Sequence, residues 1–264
     1  MTEIYLIRHA QAEGNLYRMM QGHWDGSVTA LGLKQIDALA ERFRTVHVDA
    51  LYASDLYRTR LTASAITRYH DLPMQLRPAL REINVGSWEA RFFGDVAYEQ
   101  PEAMHDFIFD PEKWQAPGAE TYAEVGQRAY AELIRIAEAN DGKSVVVVSH
   151  GVTILCLLSR ILGIGLGDKE HLPICGNTGV TLLHFESGAF SPVFINDVSH
   201  LSAAGTHAGK GGVARGINNV DLDALVGAGA VLGQNGNAAG ISTATPRSRI
   251  MPPRCGTMST TTRL

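Results

Sequence analysis

Cysteine is scarce in this 264-residue chain: Cys156, Cys175 and Cys255 are its only three, and none forms a CxxC pair. That count argues against a disulfide framework and a structural zinc site, and fits a reducing cytoplasm. Net positive charge is lacking too. The 23 Lys and Arg against 27 Asp and Glu leave −4, so no global basic surface points to nucleic acid as a partner. No apolar run approaches the roughly 20 residues that span a bilayer. Met1-Thr2-Glu3-Ile4 carries neither the basic segment nor the long apolar core of a secretion signal, so secretion is not expected, and no membrane partner is expected either. What remains is ordinary for a globular chain, 45% hydrophobic and 19% charged, and long enough to bury a sizeable core.

The absences concentrate in one place. Residues 201–264 contain no Glu and no aromatic residue, yet hold 11 of the 27 glycines; six Lys and Arg less two Asp give +4, which leaves −8 for residues 1–200. Without aromatic anchors such a stretch buries too little apolar surface to offset its ordering entropy. A working domain over 1–200 followed by a Gly-rich, flexible tail over 201–264 is therefore expected.

Within 1–200, strand-like and helix-like patterns alternate. Apolar β-rich runs predict strands over 4–7, 50–53, 145–148, 180–185 and 193–195, with a turn at Ser187-Gly188. Helices are predicted over 31–43, 57–69, 122–139 and 152–162; in the first, Leu33, Ile36, Leu39, Ala40 and Phe43 share one face. Val145 to Val148 is apolar at every position, as a central parallel strand buried on both faces must be. This alternation predicts a three-layer α/β/α sandwich with a mostly parallel central sheet. Sites in such folds gather beyond the carboxyl ends of the strands.

Those ends carry Arg8-His9-Ala10, Ser149-His150-Gly151, and Ser54-Asp55 with Arg58 and Arg60 one turn later. Two histidines and two or more arginines on one sheet edge repel one another and are costly to desolvate together, unless a dianion occupies their centre. Phosphate fits, because a guanidinium forks onto its oxygens and imidazole adds further donors. Gly151, opening a helix, is expected to add backbone N–H groups. Gly163-Ile164-Gly165-Leu166-Gly167 imitates part of a dinucleotide fingerprint but follows a helix, and the Gly205 to Lys210 stretch lacks P-loop spacing. Ser149 has no Gly-x-Ser-x-Gly elbow, so serine hydrolysis is set aside.

Leu6-Ile7-Arg8-His9-Ala10 with Asn15, Gln21-Gly22, Thr29-Ala30-Leu31-Gly32 with Gln35, Ser54-Asp55-Leu56-Tyr57-Arg58-Thr59, Leu80-Arg81-Glu82-Ile83 with Gly86-Ser87-Trp88-Glu89, and Val148-Ser149-His150-Gly151 follow one another in order. This series resembles the histidine phosphatase (phosphoglycerate mutase-like) superfamily over nearly all of the first 200 residues. The resemblance implies that His9 is the phosphorylated nucleophile, that Arg8, Arg58 and His150 bind the phosphoryl group, and that Glu82 is the acid/base. Asn15 would lie near the phosphate, with Gln21, Gly22 and Gly151 as further substrate contacts. His9 would attack as neutral imidazole while protonated His150 and the arginines stabilise the equatorial oxygens, with no metal and no cofactor.

Two departures bear on the substrate. Ala10 replaces the glycine usual after the nucleophile, and Ala90-Arg91-Phe92-Phe93 stands where a glycine normally follows Trp88-Glu89. Arg91 thereby becomes a candidate substrate contact, and Phe92 and Phe93 are expected to cap the core. Glu82 and His150 are 68 positions apart, with Arg91, Lys113, Arg128, Arg135 and Lys143 between them and no Arg-Arg pair. That interval resembles the short phosphatase branch, which includes broad-specificity phosphatases and α-ribazole phosphatase. A cytoplasmic, metal-independent phosphomonoesterase acting on a small phosphorylated metabolite is the expectation. A cofactor-dependent phosphoglycerate mutase and a noncatalytic phosphate-binding module are the alternatives.

Overall fold

The protein is described by a computed structural model over residues 1–207. Of the expected tail, 208–264 lies outside the described residues.

Strand β1 (Thr2–Arg8) is followed by a short helix, α1 (Glu13–Tyr17), and then by α2 (Ala30–Phe43). The Thr29 hydroxyl caps α2 by accepting the Gly32 N–H. Ile36, Leu39, Ala40 and Phe43 are buried as their spacing predicts, whereas Leu33, at the edge of that stripe, is 49% exposed. The chain continues through β2 (Ala50–Ala53), α3 (Tyr57–Thr67) and β3 (Met74–Leu76). Two small helices, α4 (Phe93–Glu99) and α5 (Pro101–Phe109), precede α6 (Tyr122–Glu138), which opens on a reciprocal Thr121–Glu124 capping box. Strand β4 (Ser144–Ser149) leads into α7 (Gly151–Leu162), which stops at Gly163 in the left-handed conformation, φ 68°. That is why the glycine run at 163–167 follows a helix: its first glycine is a C-cap. Strands β5 (Val180–Glu186) and β6 (Ala189–Asp197) form a hairpin, and α8 (Ser199–Ala203) packs against α2. The expected boundary at residue 200 falls inside this helix, where His200 and Leu201 are both buried.

The six strands lie in the order β3-β2-β4-β1-β5-β6. The first four are mutually parallel, β5 runs antiparallel to β1, and β6 runs antiparallel to β5. Alternate side chains feed two cores. Ile4, Leu6, Val145 and Val147 pack with Leu133, Ile136, Ile154 and Leu157 of α6 and α7. Ile7, Val146, Val148 and Leu51 pack with Ile36, Leu39, Phe43 and Ile66 of α2 and α3. The all-valine run of β4 is thus apolar throughout because each face has its own helical layer. A third, aromatic core joins Trp88, Phe107, Trp114 and Tyr122 to Val152 and Cys156 near the start of α7. Phe93 packs against it, but Phe92 remains 50% exposed, so only one of the two rings caps the core as expected.

Candidate active site

The segment after β1 is fixed amide by amide. The N–H of His9 donates to Ser149 O at 3.0 Å, that of Ala10 to Thr62 Oγ1 at 2.9 Å, that of Gln11 to Gln35 Oε1 at 2.8 Å, and that of Ala12 to Asn15 Oδ1 at 3.0 Å. From the other side Asn177 Nδ2 donates to His9 O at 2.9 Å and lies 3.4 Å from Asn15 Oδ1. His9 is therefore held by its own backbone as well as by packing, with its side chain almost fully buried.

Among the described residues the ring of His9 makes one bond, 2.7 Å from Nδ1 to Ala10 O. A carbonyl only accepts, so Nδ1 carries the hydrogen and the lone pair of the neutral ring is on Nε2. Burial, then the charges of Arg58 and Arg8, hold the pKa of His9 well below the usual imidazole value. The ring centroid of His150 lies 5.3 Å from that of His9. His150 Nε2 is 2.8 Å from Ser54 Oγ, whose hydrogen has no other acceptor among the described residues, so Ser54 donates and the His150 hydrogen sits on Nδ1. Burial, Arg58 and His9 also push His150 well below its ordinary pKa. The expectation of a protonated His150 is thus corrected for the unliganded protein: two buried imidazoles beside two guanidinium groups are neutral.

Arg8 donates Nη1 to Cys175 O at 2.6 Å, and Arg58 donates Nη2 to Gly22 O at 2.7 Å and Nη1 to Trp24 O at 2.9 Å. Asp25 lies 3.8 Å from the fully buried Arg58, whose pKa falls to about 10 because burial disfavours its charge. Burial lowers Arg8 as well. The carboxylate that does most to offset this for both is Glu82. Among the described residues, Arg8 Nε, Arg58 Nε and His150 Nδ1 are buried without a protein partner, as are Gln21 Oε1 and Asn177 Oδ1. Three such donors in one cationic cluster could be satisfied together by an oxygen-rich anion.

Glu82 sits at the N-terminus of α7, where its carboxylate accepts the N–H groups of Val152 at 3.1 and 3.2 Å and of Thr153 at 3.1 Å. The first-turn amides of α7, expected to serve an anion together with Gly151, are directed to this carboxylate instead. Gly151 contributes by its size: a Cβ there would meet Arg8 Cζ at 3.3 Å. Gly22 adopts φ 45°, and a Cβ on it would strike Glu89 Oε1 at 2.1 Å. Glu89 in turn accepts the N–H groups of His23 and Trp24 at 2.8 and 2.5 Å, shaping the turn that receives Arg58.

Of the other expectations, Arg60 is exposed on α3 and does not join the cluster. A step of two residues along a helix turns it away from Arg58. Arg91 pairs with Glu99 at 2.7 Å. Asn177 and its neighbour Thr178, whose N–H donates to Arg8 O at 3.0 Å, escaped the sequence reading, although the polar block Gly176-Asn177-Thr178-Gly179 ahead of a strand was a visible signal.

The fold and the cluster define a class: an α/β protein presenting buried arginines and a neutral histidine nucleophile candidate at the carboxyl edge of its sheet. Residues 4–198 match the histidine phosphatase superfamily (branch 1), and the chain belongs to that family. A probable phosphoglycerate mutase GpmB of Yersinia pestis (strain Pestoides F) is 34% identical over 172 residues, which is 65% of this chain and 80% of the relative. Among solved structures, Bacillus stearothermophilus YhfR superposes with TM-score 0.73 at 29% identity, covering 76% of this chain and 99% of that one. Phosphoserine phosphatase from Entamoeba histolytica, solved with phosphoserine, superposes with TM-score 0.67 at 27% identity, covering 76% and 100%.

Proposed function

We propose that the protein is a metal-independent phosphomonoester phosphatase working through phosphohistidine at His9. The observation that carries this reading is the set of unpartnered donors, Arg8 Nε, Arg58 Nε and His150 Nδ1, around an imidazole whose Nδ1 is tied to Ala10 O. In the first step Nε2 of His9 attacks phosphorus, the bond to the leaving oxygen breaks, and Glu82 protonates that oxygen. In the second, Glu82 takes a proton from water, the water oxygen bonds to phosphorus, and His9 leaves as neutral imidazole. Arg8 and Arg58 stabilise the equatorial oxygens throughout, which supplies the charge that a metal ion provides elsewhere. In this reading Asn15, Gln21, Gly22 and Gly151 are the further contacts to the phosphate end of the substrate.

The substrate is a small phosphorylated metabolite. A phosphoglycerate carboxylate needs its own cation, and Arg81, Arg91 and Arg128 are already paired, with Asp55, Glu99 and Glu120. That favours hydrolysis over mutation. The relative named as a probable phosphoglycerate mutase supports a second reading, in which the phosphoryl group of His9 returns to a phosphoglycerate. Incubation with a phosphoester and with 3-phosphoglycerate side by side separates the two: phosphate release supports the phosphatase, formation of 2-phosphoglycerate the mutase.

A further inference from the structure

Glu82 is gripped at two places, and its carboxylate is only one of them. The segment 79–82 is neither regular helix nor strand beyond Leu80, so its carbonyls have no ladder of their own to satisfy them. Three of them converge on one side chain. Arg128, on α6, donates Nη1 to Ala79 O and to Arg81 O, each at 2.8 Å, and Nη2 to Glu82 O at 2.9 Å. Its remaining valence binds Glu120, at 2.7 Å from Nε and 2.9 Å from Nη2. Glu120 also accepts the Asn84 N–H at 2.9 Å, and its own N–H donates to Asn84 O at 2.9 Å, so the residues on both sides of Glu82 are fixed to the same ion pair. His23 Nε2 donates to Glu82 O at 2.9 Å, which joins this framework to the turn that receives Arg58.

We infer that Arg128 is a positioning residue for proton transfer, holding the Glu82 backbone so that its carboxylate faces the leaving oxygen. The inference rests on Glu82 being the proton donor. A planar guanidinium is needed for the task, since an ammonium on a four-carbon stem cannot bond three carbonyls and a carboxylate in one plane. Misplacing a catalytic group by about 1 Å costs on the order of 100-fold in rate, and Arg128 controls displacements of that size without touching substrate.

The test is single-turnover release of alcohol from an alkyl phosphate and of nitrophenolate from 4-nitrophenyl phosphate, by wild type, Arg128→Ala, Arg128→Lys and Glu82→Gln. Nitrophenolate leaves without protonation, so a misplaced acid slows only the alkyl ester. Both Arg128 variants should slow alkyl release by roughly 10- to 100-fold, leave nitrophenolate release within about 3-fold, and leave KM nearly unchanged. Arg128→Lys keeps a cation beside Glu120, which guards against loss of the fold. If Glu82→Gln is selective but the Arg128 variants slow both substrates alike or neither, the positioning role is overturned while the proton donor stands. If Glu82→Gln itself shows no selectivity, the proton-donor reading fails and this inference with it.

Discussion

Replacing Arg58 by methionine removes a charge that the unliganded fold holds at a loss. Its pKa falls from 12.5 to about 10, and at 1.36 kcal/mol per pH unit this corresponds to roughly 3 kcal/mol of destabilisation at neutral pH, where both folded and unfolded arginine are protonated. Methionine has similar length and no desolvation penalty. Against that gain stand two orphaned carbonyls. Gly22 O is buried, so leaving it unpaired costs about 1–3 kcal/mol, whereas Trp24 O belongs to a half-buried residue and can bind water for about 1 kcal/mol or less. The balance runs from a gain of about 2 kcal/mol to a loss of about 1 kcal/mol, so Arg58→Met should unfold in urea near the wild-type midpoint or somewhat above it. Catalysis should fall by about 100-fold or more, as when other preorganised donors to a transition state are removed. The protection by inorganic phosphate should vanish as well, a protection of about 2.7 kcal/mol when phosphate is at 100 times its Kd. A variant several kcal/mol less stable that retained phosphate protection would show that Arg58 is a structural residue and that the anion binds elsewhere.

The buried histidines give a pH dependence of the same sense as that of paired carboxylates, but it sets in at higher pH. His9 and His150 lie well below 6.5 in the folded state and His200 falls to about 4, each chiefly through burial. Below about pH 6.5 the unfolded chain binds protons that the native protein refuses, so stability should fall with pH from there to about 4; replacing His200 with Gln should flatten that fall in a series of urea titrations. Gly22→Ala should lower the melting temperature by several degrees and reduce activity, because left-handed backbone and a contact of 2.1 Å with Glu89 combine at one position; an unchanged melting temperature would mean that the turn is free to rearrange. Activity should withstand prolonged EDTA treatment, and a loss reversed by Mg²⁺ or Zn²⁺ would refute the metal-free mechanism.

Much of this was legible in the residues because local pattern and tertiary placement coincide. The strands over 50–53 and 180–185 and the helices over 31–43 and 152–162 fall within a residue of β2, β5, α2 and α7, since apolar period and capping residues mark their ends. Strand β3 and the helices α1, α4, α5 and α8 were not legible: most are too short for a period to register, and the aromatic core beside α7 stabilises α4 and α5 from outside their own sequence. At the site, sequence order could bring His9, Arg8, Arg58 and His150 to one sheet edge, because each lies at the end of a strand or within a turn beyond it. It could not reveal that Glu82 occupies the N-terminus of α7 or that Asn177 and Arg128 hold other residues' carbonyls, since such bonds join positions tens of residues apart and depend only on three-dimensional placement.

The central claim is that His9 carries the phosphoryl group. Rapid base quenching of the protein mixed with a substrate labelled in its phosphate should trap one acid-labile, base-stable phosphoenzyme, which maps to His9 and is absent from His9→Ala. Label found on another residue, persisting in His9→Ala, or never appearing while substrate is turned over in the first cycle would contradict it.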